Sequence, residues 1–425
     1  MSTSPISFGL DFGTSNSVLA VASNGAVQVA DIDPKSESPQ VLKSVIFFDE
    51  EGRVFVGHDA IDQYLTYKGS YGRLMQSIKT HLPDKSFTEA CIFGKWLYVE
   101  ELISLILREM KRRGEQQIGR SVDSVVLGRP VVFSKDAERD ALAEERLHSA
   151  ATQAGFRQVE FLFEPIAATL AYESTLPKGK EQLVLMGDFG GGTSDFVVMR
   201  LCGGKVWKGE KGKDAILSVG GVPIGGDAFD SLIMKRKIRK YFGEGTHHKG
   251  MRGQLLDMPI GLVNLTDNWR IASQLRSHKV ITDIRSIKQT SDDPRALQNL
   301  ETLVAENLGY MLFRAIESAK CELSGSKSYV IEFNEGGIAI SEPMTQKEFS
   351  ELGHENISQI KSCMDGTLRD AGVREADIDL VLLTGGTSFI PVVRNVFLER
   401  FGNKIFPMDA FTSVAYGLGL YANSL

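Results

Sequence analysis

Cysteine is scarce in this 425-residue chain, which has four cysteines, at positions 91, 202, 321 and 363. They are far apart and form no C-x-x-C pair, so a disulfide framework is not indicated and we expect reduced thiols. No apolar run approaches the roughly 18 residues that a membrane-spanning helix needs, and residues 1–5 are too short and polar for a signal peptide. We therefore expect a cytoplasmic location.

The chain also lacks an excess of positive charge. Its 48 Lys and Arg and 54 Asp and Glu give a formal net charge of −6. This balance favours neither nucleic acid nor an anionic membrane surface as a partner. Hydrophobic residues are 42% and charged residues 24% of the chain, which is ordinary for a globular protein. The length is enough for two to four domains, at roughly 100–200 residues each.

What is present is an internal repeat. Residues 6–23 read I-S-F-G-L-D-F-G-T-S-N-S-V-L-A-V-A-S, and residues 183–201 read L-V-L-M-G-D-F-G-G-G-T-S-D-F-V-V-M-R-L. Each segment reads as an apolar strand, a tight loop and a returning strand, with Asp11 and Asp188 in matching places. A repeat on this scale is too long for a solenoid unit, so it predicts two related lobes that face each other.

Both loops have the composition of a phosphate-binding turn. Glycine has no Cβ and tolerates positive φ, so a glycine-rich backbone can approach phosphate oxygens closely. The candidate donors are Gly13, Thr14, Ser15 and Asn16 in the first loop and Gly190, Gly191, Gly192 and Thr193 in the second. A single loop of this kind is a weak signal, because most glycine-rich turns are only turns. Two matching loops, each preceded by an aspartate, are a much stronger one.

The two aspartates are candidate Mg²⁺ ligands that act through water. Magnesium prefers octahedral oxygen coordination and retains several waters. The alternative for Asp11 and for Asp188 is a strand-end carboxylate that caps a turn. Asp195, just after the second loop, is a weaker candidate for the same ion, because a solvated turn aspartate explains it nearly as well.

A third glycine cluster, with Gly385 and Gly386, lies between an apolar strand and a helix that we expect to begin at about Pro391. Such a turn lets a nucleoside lie against bare backbone at a helix N-terminus. It has neither the Walker A nor the G-x-G-x-x-G spacing. Elsewhere in the second half we expect helices over about 229–242 and 300–323. Residues 243–300 look less regular, and we interpret His247 and His248 within them as part of a solvated loop.

The order of these motifs resembles the nucleotide-binding half of the DnaK-type heat-shock chaperones. The segments that carry the resemblance are 8–17 (F-G-L-D-F-G-T-S-N-S), 164–172 (E-P-I-A-A-T-L-A-Y), 187–195 (G-D-F-G-G-G-T-S-D), 224–230 (I-G-G-D-A-F-D), 317–324 (E-S-A-K-C-E-L-S), 382–391 and 414–417. The likeness covers nearly the whole chain and is nearest to short bacterial members without a substrate-binding domain. Residues 243–300 are longer than is usual in the family.

The resemblance implies an α/β, actin-like ATPase fold of two lobes, each with a mixed sheet flanked by helices, and four subdomains in all. We expect lobe I to span 1–180, with 39–103 as its outer subdomain. Lobe II would span 181–425, with about 226–342 as its outer subdomain. A C-terminal helix, at about 409–425, would return to lobe I, and no peptide-binding domain is expected to follow.

The same resemblance implies roles for four catalytic residues. Lys79 would lie beside the γ-phosphate, and Glu164 would orient the attacking water. Asp188 would act at the metal, and Thr193 would place a hydroxyl near the γ-phosphate. Composition alone would make Lys79 a surface lysine, and Glu164 would otherwise be a helix-start carboxylate stabilised by the helix dipole.

The nucleoside contacts are also implied by resemblance. Gly225 and Gly226 would form the glycine turn of the second lobe. By this resemblance, Glu317, Lys320 and Ser324 would contact ribose and adenine. Spacings of three and four put them on one helix face, and a surface ion pair would have the same spacing. In place of the two arginines that sandwich adenine in the family, this chain has Cys321 and Phe389, and we expect Phe389 to stack on the base.

The implied function is a slow, Mg²⁺-dependent ATP-binding and ATP-hydrolysing switch of the chaperone type. Its cofactors would be ATP or ADP and Mg²⁺, with K⁺ as a further candidate. A protein client is implied but not named by the sequence, and nucleic acid and membrane are not expected as partners. Two alternatives remain open: a small-molecule kinase of the same fold, and an actin-like nucleotide-binding scaffold with little turnover.

Overall fold

The computed structural model describes residues 6–67, 72–204, 214–250, 252–266 and 278–425. The strands of the first half are β1 (Ile6–Phe12), β2 (Asn16–Ser23), β3 (Ala26–Val29), β4 (Val41–Lys43), β5 (Val45–Asp49), β6 (Val54–Val56), β7 (Gly72–Gln76), β8 (Glu89–Ile92), β9 (Lys95–Tyr98), β10 (Ser124–Arg129) and β11 (Gln158–Phe163). Its helices are α1 (His58–Thr66), α2 (Val99–Ile118), α3 (Ala137–Gln153) and α4 (Glu164–Glu173).

The second half begins with the strand that follows α4. Its strands are β12 (Glu181–Phe189), β13 (Ser194–Cys202), β14 (Ile216–Val222), β15 (His247–Lys249), β16 (Leu255–Asp257), β17 (Ser328–Glu335), β18 (Ile338–Thr345), β19 (Leu380–Thr384) and β20 (Ile405–Pro407). Its helices are α5 (Gly226–Ile233), α6 (Ile260–Val263), α7 (His278–Lys288), α8 (Pro294–Ala305), α9 (Gly309–Gly325), α10 (Gln346–Leu352), α11 (His354–Asp370), α12 (Pro391–Phe401) and α13 (Ser413–Ala422).

Two large mixed sheets have the same strand order. The first runs β3-β2-β1-β10-β11, with β4 also paired to β2, and the second runs β14-β13-β12-β19-β20. In each, the leading hairpin is antiparallel and the two later strands are parallel to its first strand. Because the sheets share both order and direction, the repeat in the sequence is a repeat of topology. The prediction of two related lobes is confirmed.

A shared apolar core lies between the two sheets. It includes Val126 of the first sheet, Met186 of the second, Ile166 of α4 and Leu418 of α13. Helix α4 is buried along nearly its whole length, as its all-round apolar sequence predicts. Helix α13 packs against it closely, because a Cβ at Gly417 would lie 1.7 Å from the carbonyl oxygen of Ala167. Only glycine permits that approach.

The smaller sheets of the first half, β6-β5-β7 and β8-β9, lie outside the first large sheet. The β6-β5-β7 sheet contributes to an apolar cluster that includes Phe47 and Tyr64 from the first half and Tyr310 from α9. The Tyr64 hydroxyl donates to the Asn307 carbonyl oxygen at 2.5 Å, and the Tyr64 and Tyr310 rings meet edge to face at 5.2 Å. We call this pair of interactions the Tyr64 contact. It joins the two halves at a point separate from the shared core.

Two helix predictions differ from the structure. The expected helix over 300–323 is two helices, α8 and α9, because a turn separates them at Asn307, whose φ is 54°. The expected helix over 229–242 begins earlier, at Gly226. It continues as a π-helical turn over Met234–Ile238 and a 3₁₀-helical turn over Arg239–Phe242. Both differences arise from local backbone geometry that apolar periodicity does not reveal.

The interval 243–300 is more regular than predicted. It contains β15, β16, α6 and α7 and most of α8, while residues 251 and 267–277 lie outside the described ranges. His247 is in a strand rather than a loop, and its ring lies 3.1 Å from an Asp292 oxygen and 3.3 Å from an Asp257 oxygen. The interpretation of a solvated loop was therefore wrong for this histidine.

In the described parts of the chain, no helix combines the length and the apolar character required to cross a lipid bilayer.

Candidate functional site

A cavity of about 570 Å³ lies where the two lobes meet, and both repeat hairpins contribute to its wall. The predicted site residues that line it are Asp11, Gly13, Thr14, Ser15, Asn16, Lys79, Glu164, Asp188, Gly190, Gly191, Gly192, Thr193, Gly225, Gly226, Glu317, Lys320, Gly385 and Gly386. Residues more than 370 positions apart in the sequence therefore line one cavity. The geometry brings them together from both large sheets and from α9.

The two hairpins have loops of the same length and the same pairing register next to the loop. Asp11 is paired with Val18 across the first, and Asp188 is paired with Asp195 across the second. Each aspartate is the next-to-last residue of its strand, so the loop that follows begins beside a carboxylate. The hairpins therefore present two carboxylates and two glycine-containing loops to a single cavity.

Lys79 lies on a short tight turn, Ile78–His81, that follows β7. Its Nζ is 2.6 Å from Oε1 of Glu164, the first residue of α4, and both side chains are buried. Burial alone would lower the pKa of Lys79, but Glu164 and Asp11 raise it above its ordinary value. The ammonium group is therefore held charged next to the carboxylates of the hairpins.

The carboxylates outnumber the cations at this point. Loss of solvent raises the pKa of Asp11 and of Asp188 well above the ordinary value, and Glu164 raises both further, while Lys79 opposes the shift. Unpaired negative charge in a confined site favours binding of a cation. Among the described residues, no group of three His, Cys, Asp or Glu side chains is arranged to hold a metal directly. A hydrated Mg²⁺ fits this donor set, because it binds proteins through one or two carboxylates and keeps its waters.

Both carboxylate oxygens of Asp195 accept hydrogen bonds from other groups of the protein. One carboxylate oxygen accepts from the Val131 N–H at 3.0 Å, and the other accepts from the Thr193 hydroxyl at 2.7 Å. Burial raises the pKa of Asp195 to about 7, although both hydrogen bonds lower it. Because Val131 belongs to the first half of the chain, Asp195 links the two lobes. That Asp195 binds the metal stays a prediction, and the two hydrogen bonds to its carboxylate do not support it.

The glycine turn of the second lobe packs on the second loop. The Gly226 N–H donates to the Gly190 carbonyl oxygen at 3.1 Å, and the Asp227 N–H donates to that of Gly191 at 2.9 Å. A Cβ at Gly225 would lie 2.5 Å from the backbone of Gly191, so this turn requires glycine. The turn thereby fixes the second loop from behind.

Helix α9 contributes the other side of the cavity. Lys320 is ion-paired at 2.7 Å with Asp230, a buried residue of α5. Burial raises the pKa of Asp230 to about 7, and Lys320 lowers it again. The predicted face of α9 is thus present, with Glu317 and Lys320 on the wall.

Two predicted binding residues do not reach the wall. The Ser324 hydroxyl donates to the Lys320 carbonyl oxygen, one turn back on α9, at 3.0 Å. Phe389 ends the tight turn Gly386–Phe389 with half of its surface exposed. Neither residue lines the cavity, so their contacts with ribose and adenine remain predictions that this geometry does not favour.

Sequence reasoning also missed residues that build the site. The Ser44 hydroxyl donates to the Gly13 carbonyl oxygen at 2.8 Å, and the Thr387 hydroxyl donates to that of Gly190 at 2.9 Å. Lys43 lines the cavity. The only local signal for Thr387 was its place beside the third glycine cluster, and nothing in the sequence pointed to Ser44.

Comparison with known proteins supplies the family. The model of the family described as "Hsp70 protein" matches residues 7–249 and 295–424. The intervening residues 250–294 lie inside the stretch that the sequence marks as longer than usual. Together the matched segments cover most of the chain.

The curated relatives include three proteins named Chaperone protein DnaK. The protein of Thermosipho africanus (strain TCF52B) is 27% identical over 406 residues, which are 93% of this chain and 54% of that protein. The protein of Thermosipho melanesiensis is 26% identical over 408 residues, which are 93% of this chain and 55% of that protein. The protein of Thermotoga neapolitana is 27% identical over 410 residues, which are also 93% of this chain and 55% of that protein. The chain spans about half the length of these relatives. Its family match and its paired mixed sheets agree on the actin-like ATPase fold, and the chain belongs to the Hsp70 family.

Proposed function

We propose that this chain binds Mg-ATP in the cavity between its lobes and hydrolyses it to ADP and phosphate, as a chaperone-type conformational switch. The observation that carries the proposal is the convergence of both repeat hairpins on one cavity together with the buried Lys79–Glu164 pair. The names of the DnaK relatives support a chaperone-type role.

The loops would bind the phosphates. Hydrogen bonds from Ser44, Thr387 and the glycine turn to loop carbonyl groups fix the backbone N–H groups of the two loops in place. Fixed donors need no reorganisation as charge develops on the transferred group, which is the main source of rate enhancement in phosphoryl transfer. Bound Mg²⁺, held through its waters by Asp11 and Asp188, would supply charge neutralisation at the terminal phosphates.

Lys79 and Glu164 would act on the γ-phosphoryl group and on water. The Lys79 ammonium offsets negative charge on the γ-phosphoryl oxygens. Oε1 of Glu164 holds Lys79, which leaves Oε2 to accept a hydrogen bond from a water molecule and orient it for attack. The water oxygen bonds to phosphorus, the bond from phosphorus to the β-phosphate oxygen breaks, and the water proton passes to the phosphate product and solvent.

Cleft closure would couple this chemistry to conformation. The cavity wall includes residues from both lobes, so a bound triphosphate interacts with both and favours the closed arrangement. Hydrolysis removes the γ-phosphate from the contacts that bridge the lobes, and the equilibrium shifts toward opening. A client protein would bind differently to the open and the closed arrangement of the lobes.

The experiment combines calorimetry with hydrolysis. We expect ADP and ATP to bind only weakly when EDTA removes Mg²⁺, and ATP to be hydrolysed slowly with no acceptor added. Lys79→Ala should keep ATP affinity within a few-fold while turnover falls by about 100-fold or more. Lys347→Ala, at a lysine whose side chain is 87% exposed, is the matched control.

Three results would contradict the proposal. Unchanged turnover in Lys79→Ala would remove the assigned role of that lysine. Hydrolysis that requires an added sugar would favour a kinase. Light scattering that rises with protein concentration and ATP, without turnover, would favour a nucleotide-binding scaffold.

A further inference from the structure

The positively charged residue Lys43 lies beside the first glycine-containing loop, residues 13–16. It ends β4 and lies opposite Asn16 in the pairing of β4 with β2. The next residue, Ser44, donates its N–H to the Ser15 carbonyl oxygen at 3.0 Å and its hydroxyl to that of Gly13 at 2.8 Å. The position of Lys43 relative to this loop is therefore set by backbone pairing and by two hydrogen bonds.

The charges around the cavity distinguish Lys43 from the other lysines there. Lys79 is ion-paired with Glu164 and Lys320 with Asp230, each at less than 3 Å. Lys43 also lines the cavity, yet it forms no ion pair with any carboxylate in the described part of the chain. Its side chain is partly buried. A lysine that lines a cavity and has no counter-ion among the described residues favours an anionic ligand there.

The location of Lys43 indicates which part of a nucleotide it would meet. On one side is the loop that contains Thr14 and Ser15, and on the other is α9 with Glu317; these residues and Lys43 also line a small adjoining cavity. The loop is the proposed phosphate site, and α9 is the proposed ribose side. A cation between them is nearer the phosphates next to the ribose than the terminal phosphate, at which Lys79 and Glu164 are proposed to act.

We propose that Lys43 binds the diphosphate part that ATP and ADP share, as a point charge contributed by lobe I. The inference rests on the proposed function and adds a phosphate-binding residue to it. Since the same phosphates are held before and after hydrolysis, Lys43 stabilises substrate, transition state and product about equally. Uniform binding of this kind lowers KM and does not raise kcat.

The test measures Mg-ADP and Mg-ATP affinity by calorimetry at two salt concentrations. Lys43→Ala should raise both dissociation constants by about tenfold, as expected for loss of one charged hydrogen bond. The salt dependence of Mg-ADP affinity should also weaken. Turnover at saturating ATP should stay within twofold, and Lys43→Arg should restore most of the affinity. Lys347→Ala controls for the change in net charge, and thermal melts check that every variant is folded.

Adenosine, measured by competition against a fluorescent ADP analogue, separates the diphosphate from the nucleoside. Its affinity should be unchanged in Lys43→Ala, and an equal loss for adenosine and ADP would overturn the assignment to the diphosphate. Unchanged Mg-ADP affinity in Lys43→Ala would overturn the inference and leave the proposed function intact. Failure of the unaltered protein to bind Mg-ADP would instead overturn the proposed function and, with it, this inference.

Discussion

The two repeat hairpins have the same backbone and different chemistry. In both, an aspartate is followed by a phenylalanine and a glycine, and Phe12 pairs with Ser17 as Phe189 pairs with Ser194. The position of Val18 in the first hairpin is taken by Asp195 in the second, where the carboxylate binds the Val131 N–H of the opposite lobe. The frame is duplicated, but Val18 has no polar side chain that could form the hydrogen bond that Asp195 makes to the opposite lobe.

The anchors of the two loops are matched as well. A hydroxyl from another segment, Ser44 in one lobe and Thr387 in the other, donates to the carbonyl oxygen of the first loop glycine, Gly13 or Gly190. The comparison teaches that the loop anchors come in pairs, whereas the hydrogen bond that Asp195 accepts from the opposite lobe has no counterpart at Val18. Substitutions should therefore have equal effects at paired positions and unequal effects at Asp195 and Val18.

The largest expected effect is at the paired aspartates. Asp11→Asn and Asp188→Asn should each reduce ATP turnover by about 100-fold, because each removes a charge that we propose holds the hydrated Mg²⁺. Single-turnover hydrolysis across a Mg²⁺ titration measures this, with Asp257→Asn, at a fully exposed side chain, as the control. If one of the two variants keeps its turnover, the hairpins do not share the metal equally.

The next largest effect is expected at the hydrogen bond from the Val131 N–H to Asp195. Asp195→Ala leaves the buried Val131 N–H without its acceptor and should lower the free energy of unfolding by about 1–3 kcal/mol. Val18→Ala tests the matching position, where only apolar packing is lost. Urea unfolding compares the free energies of unfolding of the two variants. An Asp195→Ala variant as stable as the unaltered protein would show that this hydrogen bond does not hold the lobes together.

The pH dependence of stability follows from the same residue. Burial raises the pKa of Asp195 to about 7 in the folded protein, above the value of 3.8 for an unperturbed aspartate. Its contribution to stability is therefore fully present below pH 4 and is lost as the pH rises toward 7. The stability of the unaltered protein relative to Asp195→Asn should fall between pH 5 and pH 7. A difference that rises over that interval would contradict the assignment.

A smaller effect is expected at the Tyr64 contact, the second link between the halves. Burial raises the pKa of Tyr64 well above its usual value, so its hydroxyl stays protonated and donates to the Asn307 carbonyl oxygen. Tyr64→Phe removes this hydrogen bond and should speed ADP release by about fivefold, since a net hydrogen bond contributes about 1 kcal/mol. Stopped-flow release of a fluorescent ADP measures it, with Tyr98→Phe on an exposed side chain as the control.

The smallest effect should be at the paired hydroxyls. Ser44→Ala and Thr387→Val each free one loop carbonyl group and should weaken Mg-ADP binding by about threefold. Because the two hydroxyls lie in different lobes, the effects should multiply in the double variant. Calorimetry of the single and double variants tests this, and a tenfold difference between the two single variants would show that the loops are not equivalent.

The fold could be predicted from sequence because its repeat is encoded locally. Alternating apolar residues on both sides of a short glycine loop are enough to indicate each hairpin, and Glu164 before Pro165 indicates the start of α4. The break at Asn307 was missed because apolar periodicity continues across it, from α8 into α9. The regular elements in 243–300 were missed because short strands such as β15 contain few apolar residues.

The site was predicted only where residues lie in recognisable motifs. Asp11, Asp188 and the two loops belong to the repeat, and the structure brings them to one cavity. Lys43 ends the unremarkable strand β4 and Ser44 follows it, so both are brought to the first loop by the pairing of β4 with β2. The partner of Asp195 is a backbone N–H 64 residues earlier in the chain. Contacts of this kind depend on tertiary structure and leave no local pattern.

Helix α13 has a consequence for how the protein is made. It completes the core beside β1 and α4, although it is synthesised long after both of them. At about 5–20 residues per second, roughly 400 residues of synthesis separate β1 from α13, which takes about 20–80 seconds. During that time the nascent first lobe has an uncovered apolar face. We expect its early folding intermediates to require shielding from aggregation, which would make this chain itself a client of cellular folding assistance.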